Sequence, residues 1–401
     1  DAHALVGDIE IPEPVEATVP APAVTPETAE PTAARDADTL LTLWARSVEA
    51  DGAAPALRHG EVTVSRAELD RRATRLARIL RDSGAGLDTV VALVLPRSIS
   101  WVTAMLACWK AGAAYLPVDP AAPADRTASV LADVNAVAIV TEGGAAGSSF
   151  ATDLDLPVID VATAEQDGDA SPLPDPWTTP GADAALAYVI TTSGSTGRPK
   201  PTLVPMAGIV NTYAWYREFL GLGEGSTTLV VSSPRFDLTQ KNVWGPLTSG
   251  GVVHLVDEGF DPAVILGAMA AADAAGERID AINLAPSAFE ALVDSDTDAT
   301  LTRLGAVVLG GEPIRPAVYR TLMNTDVRLI NSYGPTEASD VTSAFVMSTT
   351  GEPLDASRVP IGAPIDGVEY RVLDTRLRRV PRGVVGELYI GGIAVGRGYG
   401  G

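Results

Sequence analysis

The sequence predicts an α/β protein built on parallel sheets that helices cover on both faces, and two observations lead to this class. From residue 39 onward, apolar runs with the length of buried strands alternate with helical patterns. This alternation is typical of βαβ units, whose strands run parallel. After about residue 360 the runs become short and are separated by turns, as in YRVLD and GELYIGG, which indicates a small antiparallel or barrel-like element.

A helix cap marks the first clear element. Ser65 and Glu68 have the spacing of a capping box, and apolar residues then recur at helical spacing as far as Leu80, which predicts a helix over 66–82. The following elements are predicted as strands at 90–95, 136–141, 186–190, 227–232, 251–256, 281–285 and 306–310, and as helices at 99–112, 262–275, 287–294 and 316–323. In parallel sheets of this kind we expect ligands at the carboxyl ends of the strands.

Composition excludes several classes of protein. The chain has 401 residues and a formal net charge of −22 at pH 7, which argues against a nucleic-acid-binding surface because such a surface needs clustered Lys and Arg. The sequence contains no run of 18 apolar residues and no secretion signal, so we expect no membrane insertion and a cytoplasmic protein. The single cysteine, Cys108, excludes a disulfide scaffold.

Residues 1–37 are rich in Pro, Ala, Glu and Thr and contain few large apolar side chains. We interpret them as a linker, which implies a neighbouring module upstream. The core would then span 38–401.

The stretch TTSGSTGRPK, at 191–200, directly follows the predicted strand at 186–190. Its glycines let the backbone approach an anion closely, and its hydroxyl groups add donors to phosphate or a ligand for Mg²⁺. It is not a Walker P-loop, because it lacks the Gly-Lys-Ser/Thr ending. The stretch therefore predicts a phosphate-binding loop at the end of a strand.

Six motifs in unbroken order make the chain resemble the AMP-forming adenylating superfamily, and within it the amino-acid adenylation domains of nonribosomal peptide synthetases. Besides 191–200, they are VTVSRAELDRRATRLARIL at 62–80, WKAGAAYLPVDPAAPADR at 109–126, RFDLT at 235–239, NSYGPTEASD at 331–340 and GELYIGGIAVGRGY at 386–399. The resemblance implies two parallel-type sheets flanked by helices in an αβαβα arrangement, plus a small β-barrel-like element.

The resemblance also implies a reaction and partners. ATP and an amino acid would give aminoacyl-AMP and pyrophosphate, and the acyl group would pass to the phosphopantetheine of a carrier (thiolation) domain. An upstream condensation domain and a small MbtH-like activator would be further partners.

The residues that the resemblance assigns to ATP and Mg²⁺ lie in two of the motifs, 191–200 and 331–340, and in the segment after 306–310. Thr192, Lys200 and Glu337 would be catalytic, with Thr192 and Glu337 also binding Mg²⁺, the hard cation that prefers oxygen ligands. Tyr333 would stack on adenine. The other nucleotide-binding residues would be Thr191, Ser193, Gly194, Ser195, Thr196, Gly197, Gly311, Glu312, Pro313, Asn331, Ser332, Gly334 and Thr336.

By the same resemblance, Asp237 would hold the α-ammonium of the amino acid through a charge-assisted hydrogen bond. The rest of the substrate pocket would be Leu238, Lys241, Asn283, Val308, Gly310, Ser332, Asp340 and Val341. A buried ammonium needs an anionic partner, so a buried Lys241 pairs either with the substrate or with Asp340. A further alternative is that Lys241 lies at a helix start and extends its ammonium to solvent. The first alternative favours an acidic amino acid, and the second favours a small polar one such as serine, cysteine or threonine. From the sequence we favour an acidic amino acid as the substrate.

The chain also departs from the family pattern. Pro201 and Met206 stand where the family usually has Gly and His, and Gly396 and Gly400 stand where it has Ala and Leu. The sequence ends before the family's ribose-binding Asp signature and its C-terminal lid with the catalytic lysine, so we expect the large N-terminal subdomain alone, with slow adenylation at best.

Three other classes remain. An acyl- or aryl-CoA ligase of the same superfamily would lack the Asp of the FD pair. A P-loop NTPase would need the missing Gly-Lys-Ser/Thr ending. A noncatalytic nucleotide-binding or docking subdomain would fit the departures at Pro201 and Met206.

Overall fold

The computed structural model describes residues 39–143, 155–166, 169–193, 199–315, 322, 325–347 and 359–401. The predicted linker at 1–37, the loop residues Gly194, Ser195, Thr196 and Gly197, and the predicted helix at 316–323 apart from Leu322 lie outside these ranges. The described helices are α1 (Leu40–Ala50), α2 (Arg66–Asp82), α3 (Ile99–Ala111), α4 (Ala124–Asp133), α5 (Val161–Gln166), α6 (Met206–Leu220), α7 (Asp237–Leu247), α8 (Pro262–Ala274) and α9 (Pro286–Ser295).

The described strands fall into three sheets. They are β1 (Pro55–His59), β2 (Val62–Ser65), β3 (Val90–Val94), β4 (Ala114–Pro117), β5 (Ala136–Thr141), β6 (Val158–Asp160), β7 (Leu186–Ser193), β8 (Pro199–Pro205), β9 (Thr227–Val230), β10 (Val252–Leu255), β11 (Ala281–Leu284), β12 (Ala306–Leu309), β13 (Arg328–Tyr333), β14 (Ser343–Met347), β15 (Ala363–Pro364), β16 (Val368–Leu373) and β17 (Glu387–Gly392).

The two large sheets are parallel in their centres. The larger sheet has the order β15-β14-β13-β12-β11-β9-β10-β1-β2, and the strands from β13 to β1 in this order run parallel. Its antiparallel strands, β2, β14 and β15, lie at the two edges. The smaller sheet has the order β6-β5-β3-β4-β7-β8, and only the edge pairing of β8 with β7 is antiparallel among the described strands.

Strand β3 shows how the smaller sheet separates two cores. Val91 and Leu93 belong to a hydrophobic cluster that also contains residues of the larger sheet, of α2, α3 and α7. Val90, Ala92 and Val94 belong to another cluster, which includes residues of α4. Successive side chains on a strand point to opposite faces of the sheet, so the all-apolar sequence of β3 supplies apolar side chains to the core on each face.

Helices α8 and α9 cover the other face of the larger sheet. Met269 of α8 and Phe289 of α9 pack in one cluster with Ile282 and Val307 of the sheet. The layers are therefore α8 and α9, the larger sheet, a central helical layer with α2, α3 and α7, the smaller sheet, and α4. The predicted αβαβα arrangement is confirmed.

The local sequence signals explain individual elements. The Ser65 hydroxyl accepts a hydrogen bond from the Glu68 amide at 3.2 Å, so the predicted cap begins α2 as expected. The predicted strand-like and helical segments outside 316–323 are found with boundaries shifted by a few residues at most. Cys108 is buried in α3, and burial raises the pKa of its thiol.

The prediction that 191–200 is entirely loop is wrong. Thr191 and Thr192 continue β7, and Pro199 and Lys200 begin β8, so the two strands form a hairpin in which Thr192 pairs with Lys200. Thr191 and Thr192 fit a strand because threonine is β-branched. Proline is tolerated in β8 because this strand lies at the edge of its sheet.

The β-rich end is confirmed as a small antiparallel unit, the two-stranded sheet of β16 and β17. The chain then returns to the smaller sheet, where the Leu203 amide donates to the Gly398 carbonyl at 2.9 Å and the Gly400 amide donates to the Pro201 carbonyl at 2.8 Å. Segment 397–400 thus lies along β8. Among the described residues, no helix is long and apolar enough to cross a membrane.

Candidate active site

The carboxyl edge of the larger sheet brings four predicted pocket residues together. In adjacent parallel strands, Asn283 of β11 pairs in register with Val308 of β12. Gly310 follows β12 and lies against Ser332 of β13: a Cβ added to Gly310 would lie 2.7 Å from the Ser332 hydroxyl. The absence of a side chain at residue 310 is therefore required by close packing.

Asp237 begins α7 at the same edge. Its carboxylate is half-buried and accepts a hydrogen bond from the Leu238 amide at 2.7 Å. A carboxylate in the first turn is favoured by the partial positive charge at the helix N-terminus. The helix start thus holds a negative charge beside the strand ends.

Arg97, which the sequence analysis missed, ties the two large sheets together at this edge. It follows β3 of the smaller sheet, and its buried guanidinium donates to carbonyl groups beyond β9 and β10 of the larger sheet. The acceptors are Val231 at 2.6 Å, Ser232 at 2.7 Å, Val256 at 2.5 Å and Asp257. The planar guanidinium fixes the segment that leads to Asp237, and no local pattern marks this role.

Lys241, one turn into α7, forms a buried ion pair with Asp340. The Nζ to Oδ2 distance is 2.7 Å, and the side chains are 0% and 7% exposed. Lys241 Nζ also donates to the Leu238 carbonyl at 3.2 Å and lies 5.8 Å from the centre of the Tyr216 ring. Of the two partners predicted for Lys241, Asp340 occupies that position here.

The backbone around Asp340 is strained. Ser339 and Asp340 have φ values of 56° and 76°, in the left-handed region that residues other than glycine rarely adopt. The turn also approaches Gly334 so closely that an added Cβ there would lie 2.1 Å from the Asp340 carbonyl oxygen. The loop from β13 to β14 is therefore folded tightly in a way that directs Asp340 onto α7.

The electrostatics of the pair are dominated by burial. Burial raises the pKa of Asp340 to about 6, the Lys241 ammonium lowers it, and the negative charge of Asp237 raises it again. The desolvation of the carboxylate therefore outweighs its attraction to Lys241. With both acids ionised, Asp237, Asp340 and Lys241 together carry a net charge of about −1.

Neutral polar groups without partners lie near these charges. Burial raises the pKa of the Tyr188 and Tyr213 hydroxyls, and the charges of Asp237 and Asp340 raise both further. Neither hydroxyl has a hydrogen-bond partner among the described residues, and the same holds for both polar atoms of the buried Asn283 side chain. Buried polar groups are ordinarily paired, so these groups are suited to a polar ligand.

The hairpin of β7 and β8 supplies the predicted phosphate-side residues. Thr191 and Thr192 are half-buried, and the Thr192 hydroxyl donates to the Lys200 carbonyl at 3.4 Å. The Lys200 side chain is exposed, and its ammonium lies 5.2 Å from the centre of the Tyr399 ring. Ser193 ends β7, and the five residues after it, 194–198, lie outside the described residues.

Glu337 is joined to this hairpin through Tyr399. It lies in the short 3-10 helix Thr336–Ala338 of the loop between β13 and β14, and its carbonyl accepts a hydrogen bond from the Gly396 amide at 2.7 Å. The Tyr399 hydroxyl donates to Glu337 Oε1 at 2.5 Å. This hydrogen bond is the main reason why the pKa of Tyr399 is raised.

Several residues predicted to bind the nucleotide have structural partners. Glu312 accepts hydrogen bonds from the amide and hydroxyl of Ser287 in the first turn of α9. Asn331 donates to the Pro360 carbonyl at 2.8 Å, and Ser332 donates to the Leu309 carbonyl at 3.0 Å. Their nucleotide contacts stay predictions.

The other predicted nucleotide residues lie at the ends of β12 and β13. Tyr333 is exposed at the end of β13, Gly311 and Pro313 are exposed after β12, and Gly334 and Thr336 are half-buried in the β13–β14 loop. Val341 of the same loop is buried. The structure therefore gathers these residues at one edge of the larger sheet.

The donor set fits a magnesium ion that arrives with a nucleotide. In the described part of the chain, no group of three or more His, Cys, Asp or Glu side chains is arranged to hold a metal ion. Thr192 and Glu337 offer a hydroxyl and a carboxylate, and Mg²⁺ in nucleotide sites usually takes one or two carboxylates plus the phosphates. These two residues would hold the ion only together with ligand oxygens.

The fold and site define an α/β protein whose candidate site lies at the carboxyl edge of a helix-covered, mainly parallel sheet. The chain belongs to the AMP-binding enzyme family, because the family model with that description matches residues 44–400. The predicted membership of the superfamily is thereby confirmed.

Curated relatives are nonribosomal peptide synthetases. The chain is 40% identical over 368 residues to a probable non-canonical nonribosomal peptide synthetase, CymA, of Salinispora arenicola (strain CNS-205), and 35% identical over 366 residues to tyrocidine synthase 3 of Brevibacillus parabrevis. Each match covers 90% of this chain, but only 4% and 5% of the respective relatives. The chain is thus similar to one adenylation-domain-sized part of much longer proteins.

Solved structures of similar proteins have the same fold as this chain. The nonribosomal peptide synthetase FmoA3 in its AMPPNP-bound form has a TM-score of 0.78 at 27% identity, over 94% of this chain and 39% of that chain. The N-terminal subdomain of Klebsiella oxytoca NpsA has a TM-score of 0.76 at 24% identity, over 89% of this chain and 88% of that subdomain, and supports the fold alone.

Proposed function

We propose that this chain binds ATP with Mg²⁺ and an amino acid, and activates the amino acid as aminoacyl-AMP for transfer to a carrier domain. The observation that carries the proposal is the position of Asp237 beside the buried Lys241–Asp340 pair. The three side chains form a site with a net charge of about −1, which one ammonium group neutralises. An α-amino acid supplies that ammonium.

Each group of the chain has a defined task in this proposal. Asp237 binds the α-ammonium and so fixes the carboxylate of the amino acid relative to the nucleotide. Thr192 and Lys200 lie on the hairpin next to the phosphate-binding loop, and Tyr333 offers an exposed ring at the end of β13. Positioning two reactants in one cleft removes much of the entropic barrier to their reaction. Bound Mg²⁺ would neutralise phosphate charge near Glu337.

The substrate that fits best has a polar, uncharged side chain. Lys241 is already neutralised by Asp340 at 2.7 Å, so an acidic side chain would meet a carboxylate whose partner is taken. Unpartnered groups of Asn283, Tyr188 and Tyr213 offer hydrogen bonds instead. A structure of FmoA3 bound to α-methyl-L-serine-AMP gives an example of a similar protein that holds the adenylate of a small hydroxyl amino acid. This alternative replaces the acidic substrate that we favoured from the sequence.

The relatives also suggest partners. CymA and tyrocidine synthase 3 are far longer than this chain, as expected of multidomain synthetases. We therefore include a carrier domain and a condensation domain in the proposal, and an MbtH-like activator stays a prediction from the family resemblance alone.

Binding by the 401-residue chain tests the proposal. Calorimetric titration with a nonhydrolysable ATP analogue and Mg²⁺ is followed by titration with serine, threonine, asparagine, aspartate, glutamate, leucine and phenylalanine. We expect a neutral polar amino acid to bind most tightly. Tighter binding of an acidic, aliphatic or aromatic amino acid would refute the substrate class, and no binding of the analogue would refute the function.

A matched pair of variants tests the role of Asp237. Asp237→Asn removes a charge-assisted hydrogen bond, and we expect amino-acid affinity to fall at least about tenfold while affinity for the ATP analogue is unchanged. Asp125→Asn removes an exposed carboxylate from the equivalent first turn of α4 and serves as the control. Equal amino-acid affinity in the two variants would exclude Asp237 from the site.

A further inference from the structure

Tyr399 lies between two residues that the proposed function places at the phosphates. Its hydroxyl donates to Glu337 Oε1 at 2.5 Å, and the Lys200 ammonium lies 5.2 Å from the centre of its ring. The hydroxyl of Tyr399 therefore contacts the Glu337 carboxylate, and the ring of the same side chain contacts the Lys200 ammonium.

The backbone holds Tyr399 firmly although its side chain is 48% exposed. Tyr399 forms a bridge with Thr202 of β8, and hydrogen bonds on either side of it join Gly398 to Leu203 and Gly400 to Pro201. These contacts fix the position of its Cα relative to the hairpin that carries Thr192 and Lys200.

The loop that carries Glu337 is attached to the same segment. The Gly396 amide donates to the Glu337 carbonyl, and a Cβ on Gly396 would lie 2.9 Å from that oxygen and 3.0 Å from the Leu203 carbonyl oxygen. Glycine at this position allows the loop, β8 and segment 397–400 to approach one another closely. The glycine that departs from the family pattern thus lies where three backbone segments pack closely.

We infer that Tyr399 is a positioning residue, whose hydroxyl orients the Glu337 carboxylate for a divalent cation while its ring keeps the Lys200 ammonium apart from that carboxylate. The inference rests on the proposed function. A carboxylate that binds a metal is oriented by the hydrogen bond that its other oxygen accepts, and loss of such an outer partner weakens metal binding. The Tyr399 hydroxyl contacts Oε1, so the inference assigns Oε2 to the cation.

The ring has a separate task. An exposed ammonium and a nearby carboxylate attract each other, and an ion pair between them would have to break before either group could contact the nucleotide or its metal. The aromatic face attracts the Lys200 ammonium without neutralising it, so the charge remains available to phosphate.

The test measures Mn²⁺ as the probe metal. Electron paramagnetic resonance follows free Mn²⁺ in the presence of a nonhydrolysable ATP analogue, and calorimetry in EDTA follows analogue binding without metal. For Tyr399→Phe we expect Mn²⁺ affinity about tenfold weaker than wild type, with metal-free analogue binding unchanged. For Tyr399→Leu we expect the same loss for Mn²⁺ and, in addition, about twofold to fivefold weaker metal-free binding.

Tyr389→Phe is the matched control, because the Tyr389 hydroxyl contacts Glu387 at 3.5 Å on the two-stranded sheet. We expect this variant to match wild type in both assays, and thermal melting to show that all variants are folded. Mn²⁺ affinity of Tyr399→Phe within twofold of wild type, with wild type binding the analogue, would overturn only the present inference. Failure of wild type to bind the analogue would overturn the proposed function and this inference together.

Discussion

The buried pair of Lys241 and Asp340 gives the sharpest stability prediction. Lys241→Met removes the ammonium and leaves the Asp340 carboxylate 7% exposed with no cation at 2.7 Å. Removal of one partner of a buried ion pair typically costs about 3–5 kcal/mol. The free energy of unfolding of Lys241→Met should fall by that amount at pH 7.

Proton uptake limits this penalty and gives it a pH signature. A carboxyl with an ordinary pKa of 3.8 can be protonated at pH 7 at a cost of about 4 kcal/mol, and at pH 5 at a cost of about 2 kcal/mol. In Lys241→Met the pKa of Asp340 is raised further above its unfolded value, so stability is lost as pH rises above 4. The variant should therefore be closer to wild type at pH 5 than at pH 7.

The double variant separates pairing from burial. Because burial raises the pKa of Asp340 despite Lys241, the pair as a whole adds little stability. Lys241→Met with Asp340→Asn should therefore be more stable than Lys241→Met alone, by up to about 4 kcal/mol at pH 7 and by less at pH 5.

The assay is urea unfolding of both single variants, the double variant and wild type at pH 5 and pH 7. Arg371→Met is the control, because the Arg371–Glu369 pair has the same 2.7 Å separation but is more than half exposed. We expect this control to change stability by less than about 1 kcal/mol. Additive effects of the two single variants, or a penalty for Lys241→Met that does not depend on pH, would refute the reasoning.

Two further predictions concern packing around the site. Gly310→Ala places a Cβ 2.7 Å from the Ser332 hydroxyl and should lower the free energy of unfolding by about 1–3 kcal/mol. Adding Ser332→Ala to the same chain should restore part of the loss, as measured by urea unfolding midpoints. If the second substitution restores nothing, this contact is not the cause of the loss. The ammonium of Arg97→Lys cannot donate to all four carbonyl groups, so the free energy of unfolding should fall by more than about 2 kcal/mol. Amino-acid binding should also weaken, because the segment that leads to Asp237 is displaced. Unchanged stability would show that the guanidinium contacts are dispensable.

Local signals made much of the fold predictable. The cap at Ser65, the all-apolar strand β3 and the alternation of strands and helices depend on residues close in sequence, and the structure follows them. The strands with antiparallel pairing at the sheet edges were not predicted, because β2, β8 and β14 owe their state to neighbours in the sheet. The same reason explains why Thr191 and Lys200 lie in strands instead of a loop.

In the candidate site, too, some features follow from the sequence and others only from the tertiary structure. Sequence and elementary electrostatics determined that a buried Lys241 needs an anion and that glycines in 191–200 allow the backbone to approach an anion closely. Only the tertiary structure decided that Asp340, 99 residues away, supplies the anion, and that Tyr399 meets Glu337 across 62 residues. Such contacts depend on strand order and on a strained turn, and a sheet whose neighbours are not consecutive in the chain places together residues that no local pattern relates.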